Sequence, residues 1–189
     1  MRGKVIRMKK IKIIGILIIC LLMVTGCSDD STTNKDSSSG NSSDTISSAN
    51  KDIDTSGSGK LLCTREASAA EGIDVDLKYE IQYNNGIIQV LHSIEKIVSE
   101  NNDSLDEYEE AYRKIASNYE GLKYYDTSIV RTDTTVTNDT TINYEKLDMN
   151  KLIEIEGEED NVVEDGRVKL ATWLNFAEKF GTTCEEATE

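Results

Sequence analysis

One imidazole, four thiols, eight phenols and 35 carboxylates are the side chains of this 189-residue chain that could do chemistry. The imidazole, His92, sets the tightest limit. Serine-nucleophile catalysis needs a base beside the nucleophile, and zinc needs His, Cys or carboxylate ligands at set spacing. One His and widely separated Cys residues fit neither pattern. His92 falls at an alternating position of a strand pattern, and we expect it to point inward as a satisfied strand histidine. No Gly-rich phosphate loop or G-x-S-x-G elbow is present. The carboxylates cluster once, in residues 154–166, EIEGEEDNVVEDG. Such oxygens can ligate Ca²⁺, but the EF-hand order is missing, so a solvated acidic loop is expected. A hydrolase built on two paired carboxylates stays formally open, although nothing singles out a pair. The phenols are the main aromatic groups, against two Phe and one Trp. Most are expected in the core. Tyr124 and Tyr125 are adjacent, and neighbours in a strand face opposite ways. One of them is left over for a cleft that would take a sugar or a peptide, so these two are the candidate ligand contacts.

The thiols point elsewhere. Arg2, Lys4, Arg7, Lys9, Lys10 and Lys12 precede any acid, and residues 13–24 form an apolar run of about 12. A spanning helix needs about 20. A basic stretch with a short apolar core reads as a secretion signal, its cations held on the cytoplasmic side. Cys20 is then a small hydrophobe within that run. The next residues, Val24-Thr25-Gly26-Cys27, look like the lipobox of bacterial lipoproteins. The resemblance implies cleavage after Gly26, with the Cys27 thiol acting as nucleophile for diacylation. Two acyl chains hold a domain stably on a bilayer. An uncleaved signal anchor, with Cys27 an ordinary thiol, is the other reading.

These residues need something to hold. The expected organisation is a signal peptide (1–26), a lipidated Cys27 with a Ser-rich tether (27–60), and one domain (61–189). About a third of the tether is Ser, and its only sizeable apolar residues are Ile46 and Ile53. It cannot bury enough area to offset its ordering entropy, so it is expected to be a disordered spacer. The domain carries 12 Lys+Arg against 29 Asp+Glu, a net −17. That balance excludes nucleic acid as a partner, because phosphate binding needs a cationic surplus. It favours a cationic envelope protein or ligand.

Ile73, Val75, Leu77, Tyr79, Ile81 and Tyr83 alternate with polar residues, a half-buried strand. Asn84-Asn85-Gly86 is a turn, and Ile88, Val90, His92 and Ile94 continue as its partner strand. Leu61 to Thr64 form a preceding strand. Ser104 and Glu107 have capping-box spacing before a helix whose stripe is Leu105, Tyr108, Tyr112, Ile115, Ala116 and Tyr119, stopped at Gly121. A second hairpin is expected over residues 122–147, turning at Asn138-Asp139. A helical turn follows over 148–153. The last helix, over 167–180, buries Val168, Ala171, Leu174 and Ala177, with Trp173 and Phe176 flanking. The fold class is α+β: an antiparallel sheet built from two hairpins with two helices packed on one face. Cys63 and Cys184 bracket the domain, and export makes a bridge between them possible. Two buried thiols, or two cysteines that never meet, are the alternatives.

The lipobox, the polar tether, Tyr119-Glu120-Gly121, the Thr-rich strands with Tyr144 and Asp148, and the closing Phe180-Gly181-Thr182-Thr183-Cys184 together resemble the YehR-like family of small bacterial lipoproteins. The resemblance implies a single α+β domain and carries over no activity and no cofactor. The functional expectation is a non-enzymatic binding or interaction module, lipid-anchored on the extracytoplasmic face of the cell membrane through Cys27. A surface hydrolase using acidic residues and a purely structural envelope lipoprotein are the alternatives.

Overall fold

The structure is a computed structural model that describes residue 50 and residues 53–157 and 162–187. The signal segment, Cys20, Cys27, residues 28–49, 51 and 52 of the expected tether and residues 158–161 of the acidic segment lie outside the described residues. A six-stranded antiparallel sheet organises the rest. Its strands are β1 (Gly59–Ala70), β2 (Ile73–Asn84), β3 (Ile87–Ser99), β4 (Tyr125–Arg131), β5 (Thr135–Asn143) and β8 (Thr183–Glu186). They lie in the order β4-β5-β3-β2-β1-β8, and a two-stranded ribbon pairs β6 (Val163–Glu164) with β7 (Arg167–Val168). The helices are α1 (Asn102–Asn118), α2 (Met149–Glu156) and α3 (Leu170–Glu178). The α+β class stands. The finer expectation of two hairpins and two helices does not: β1 pairs with β2 along its whole length, β8 adds an edge, and α2 is a third helix.

Register explains the core. Leu61 faces Ile81, which faces Leu91, then Ile142, then Tyr125; Ala67, Val75, Ile97 and Val136 form a second such row. Side chains alternate across a strand, so these rows line one face of the sheet. Leu105, Tyr108 and Tyr112 of α1, Leu152 of α2, and Trp173, Leu174 and Ala177 of α3 join the same buried cluster. Trp173 is therefore central to the core and not at its flank. Its ring meets Tyr79 edge-on, with centroids 5.3 Å apart. Ala171 is exposed, and Val168 belongs to β7.

One turn and one helix cap fall elsewhere than the residue types suggest. Asn138 and Asp139 sit within β5, and the β4–β5 connection is closed by Thr132, whose backbone N–H donates to the Thr135 carbonyl at 2.8 Å. The Asn101 side chain caps α1 by accepting from the Asp103 and Ser104 amides, in place of the Ser104 box. Gly86 does supply the left-handed turn residue, at φ +70°. Its amide donates to the Gly57 carbonyl at 2.8 Å. A side chain there would collide with the Thr55 carbonyl oxygen.

Cys63 and Cys184 lie directly opposite each other on β1 and β8 and are joined by a disulfide, with Cα atoms 4.0 Å apart. Cys184 is thus a strand residue, and the bridge fastens a four-residue edge strand to the sheet.

Candidate functional site

His92 lies on the open face of the sheet. It does not point inward, because a bulge precedes it in β3. Between Gln82–Val90 and Tyr83–Ile88 the β2–β3 register shifts, so Gln89 is an extra residue. A bulge of one residue moves every later side chain to the other face. Ile88 is inward, but beyond it Leu91, Ser93, Glu95 and Ile97 are the buried positions and the even ones are not. His92 Nε2 lies 2.9 Å from Asp139 Oδ1, and Nδ1 lies 3.6 Å from Glu80 Oε2. Lys78 also bonds Glu80, at 2.6 Å, and that bond, with help from His92, holds the Glu80 carboxyl below the usual range. Both imidazole nitrogens face carboxylates, so the ring is oriented as part of a surface ion network. Among the described residues, no group of three or more His, Cys, Asp or Glu is placed to hold a metal ion. No helix there is long and apolar enough to cross a membrane.

The structure separates Tyr124 from Tyr125. Gly121 (φ +80°) and Tyr124 (φ +69°) take left-handed conformations in the short link from α1 to β4. That path leaves Tyr124 exposed, with Lys146 Nζ 6.0 Å from its ring centroid. Tyr125 opens β4 facing inward and stacks on Tyr119, with centroids 4.3 Å apart and planes 2° from parallel. Tyr119 is the C-cap of α1 and is buried. Its hydroxyl donates to Glu156 Oε1 at 3.1 Å. Glu156 is the last residue of α2, so three elements converge on this point: the end of α1, the start of β4 and the end of α2.

Burial is the main cause of the electrostatics here. It pushes the phenols of Tyr119, Tyr125 and Tyr144 well up, and the nearby Glu156 charge raises all three further. Burial also raises the Glu156 carboxyl, and the Tyr119 hydrogen bond offsets part of that. Folded Glu156 therefore binds its proton more tightly than unfolded Glu156 does. Its contribution to stability is fully present below its ordinary value near 4.5 and is lost as pH rises through the folded value. Replacing it by Gln keeps an acceptor for Tyr119 and removes the charge. Urea midpoints of Glu156→Gln are expected to fall less than those of the parent between pH 5 and 7. Parallel midpoint curves would contradict the raised carboxyl.

A groove of about 470 Å³ opens beside the stack, lined by Arg113, Ser117, Tyr119, Glu120, Tyr125 and Asp126 among others. Arg113 is tied to Glu109 by bonds of 2.9 and 2.6 Å. Its charge is thereby paired, which leaves Glu120 as the unbalanced charge on the Tyr125 side of the groove; Asp126 borders it from the strand edge, with its side chain on the other face of β4. A second depression of about 600 Å³ is lined by Asn84, Gln89, Tyr144, Glu145, Met149 and Arg167, on the far side of Tyr144.

Tyr119, Tyr144 and Glu156 were not legible as a group. Tyr119 reads as one rung of the α1 stripe and Glu156 as part of an acidic run. The available signal was the spacing of Met149, Leu152, Ile153 and Glu156, which puts Glu156 on the buried stripe of α2. Within the acidic segment, Glu164 instead pairs with Lys169 at 2.7 Å and accepts from the Thr172 hydroxyl.

No family model and no curated protein matches the chain. Two solved structures are similar to it. The NMR structure of the E. coli YehR protein has a TM-score of 0.48 at 14% identity, over 70% of this chain and 94% of that one. The NMR structure of a protein from Streptococcus pneumoniae TIGR4 has a TM-score of 0.43 at 12% identity, over 83% of this chain and 100% of that one. Both identities are far below those that carry function.

Proposed function

We propose that this chain is a lipid-anchored extracytoplasmic binding module whose ligand site is the groove walled by Tyr119 and Tyr125. Cys27 is the anchor, the residues between it and the folded segment that includes Ile53 and β1 are the tether, and membership of the YehR-like lipoproteins belongs to the same proposal. The observation that carries the reading is the Tyr119–Tyr125 stack beside an acidic groove. A buried phenol with a polar tip and a partly buried partner ring give an apolar platform with hydrogen-bonding edges, the usual makeup of a recognition surface. The net −17 of the domain favours cationic partners and makes binding salt-sensitive.

The test is a thermal-shift titration of the intact chain in detergent micelles against Ca²⁺, oligosaccharides and lysine-rich peptides. A ligand that binds the native state raises the melting temperature with concentration. Tyr125→Ala is expected to weaken such a ligand by tenfold or more, while Tyr124→Ala changes its affinity less than threefold. Ligands that bind equally well to both variants and to the parent would overturn the assignment of the groove. A chain that responds to none of the three classes would support the purely structural reading.

A further inference from the structure

The backbone of β4 adds something that the side chains of the groove do not. Among the described residues β4 pairs only with β5, so it is an edge of the sheet. Which of its amides are free follows from two bonds. Thr132 N–H donates to the Thr135 carbonyl at 2.8 Å, and Asn143 N–H donates to the Tyr124 carbonyl at 2.9 Å. In an antiparallel pair, residues whose backbone groups face the neighbour alternate with residues whose groups face away. Residues 124 and 132 face β5, and so do 126, 128 and 130 between them. The amides and carbonyls of Tyr125, Thr127, Ile129 and Arg131 therefore point to the open edge.

These are also the inward residues of β4, and α1 runs beside them. Arg131 Nη2 reaches Asn102 Oδ1 at 3.0 Å near the start of α1, while Tyr125 stacks on Tyr119 at its end. Helix and strand are thus antiparallel neighbours over the length of β4. The groove lies between them and is lined by Tyr125, Thr127 and Ile129 on the strand side. A slot between an edge strand and a helix, with unpaired backbone groups along one wall, is the geometry that accepts an extended peptide as an added strand.

We infer that β4 binds an extended, lysine- or arginine-bearing peptide segment of a partner protein by strand addition. The inference rests on the groove reading above. The backbone groups of Thr127 and Ile129 supply the ladder bonds, and a cationic side chain lies over Tyr125 beside Glu120. The occupant is cationic because Arg113 is already paired with Glu109, leaving the Glu120 carboxylate at the slot within a domain of net −17. A Lys or Arg side chain also gains attraction from a tyrosine face.

The probe is a fluorescein-labelled, capped nonapeptide of alternating lysine and valine, titrated into the intact chain in micelles, with its glutamate-for-lysine counterpart as control. The lysine peptide is expected to bind at least tenfold more tightly than the glutamate peptide, and to weaken about fivefold or more between 50 and 300 mM salt, as screening predicts. At saturation, amide exchange of Thr127 and Ile129 should slow by tenfold or more. Ser128 and Val130, already facing β5, should change little. Thr127→Pro removes an outward amide at an edge, where proline is tolerated, and should cut binding tenfold or more. Should that variant fail to fold, Glu120→Gln reads the charge contribution instead, with an expected loss of about threefold. Equal binding of the two peptides would overturn the inference. So would absence of binding, protection at residues 65–70 of β1 instead, or protection of Thr127 and Ile129 already present in the free chain. A sugar or Ca²⁺ response that depends on Tyr125 would leave the groove reading standing while strand addition fails.

Discussion

Replacing both Cys63 and Cys184 by serine is expected to lower the unfolding free energy by about 4 kcal/mol and the melting temperature by roughly 10–20 °C. The bridge closes a separation of 121 residues. In the chain-entropy model a loop of that size restricts the unfolded ensemble by about 4–5 kcal/mol, a large share of the 5–15 kcal/mol that holds a domain together. The folded state loses something as well. β8 has four residues and pairs as a strand only with Leu61 to Thr64 of β1. Without the bridge its attachment is that edge pairing, one bond from the Cys184 amide to Asn50 Oδ1 at 2.9 Å and one from the Ala187 amide to the Lys60 carbonyl at 3.0 Å. Amides of β8 should then exchange at near the rate of an open chain, while those of β2 stay protected. A double-serine chain that melts within about 3 °C of the parent would show that the bridge constrains neither state.

Trp173→Ala is expected to cost about 3–5 kcal/mol, the range for removing a large buried aromatic side chain. Trp173 is 1% exposed and is the largest fully buried side chain of the domain. It also meets Tyr79 in the edge-on arrangement that aromatic pairs favour. Its helix is held by its buried face, Leu170, Trp173, Leu174 and Ala177, and not by its ends. α3 has nine residues, no side-chain hydrogen bond at its Lys169 cap, and a length at which isolated helices do not persist in water. Trp173→Phe keeps a ring against Tyr79 and is expected to lose less than half as much. Denaturant midpoints at constant m measure both. If Trp173→Ala left the midpoint within about 1 kcal/mol of the parent, α3 would not be part of the core.

The parts of the fold that could be read from the sequence are those where local pattern and tertiary environment agree. β2 was legible because Val75 to Tyr83 alternate without interruption and all the odd positions are buried. β3 was legible as a strand, but its faces were not, because Gln89 is an inserted residue that leaves no mark on composition. Every inference about His92 inherited that slip. Asn138 and Asp139 look like a turn, yet β5 holds them as strand residues. Their side chains bond across it: Asn138 Oδ1 accepts from Thr127 at 3.0 Å, and Asp139 meets His92. β8 was invisible because four residues of Thr-Cys-Glu-Glu carry no periodicity. Its place is set by a covalent bond and a register that only the folded chain has. The candidate site was half legible. Tyr125 stood out by adjacency to Tyr124, whereas Tyr119 and Glu156 reach it from helices 37 residues apart in the chain.

The central claim is that this domain works outside the cytoplasm, held to a bilayer at Cys27 with Cys63 and Cys184 oxidised. One experiment reads all three cysteines: intact and peptide mass spectra of the native chain from fractionated cells, after blocking free thiols with an alkylating reagent and without reduction. The expected result is a membrane-fraction chain that begins at a diacylated Cys27 and carries no alkyl mass on Cys63 or Cys184. A cytosolic chain that retains residues 1–26, lacks acyl mass and shows both Cys63 and Cys184 alkylated would contradict it.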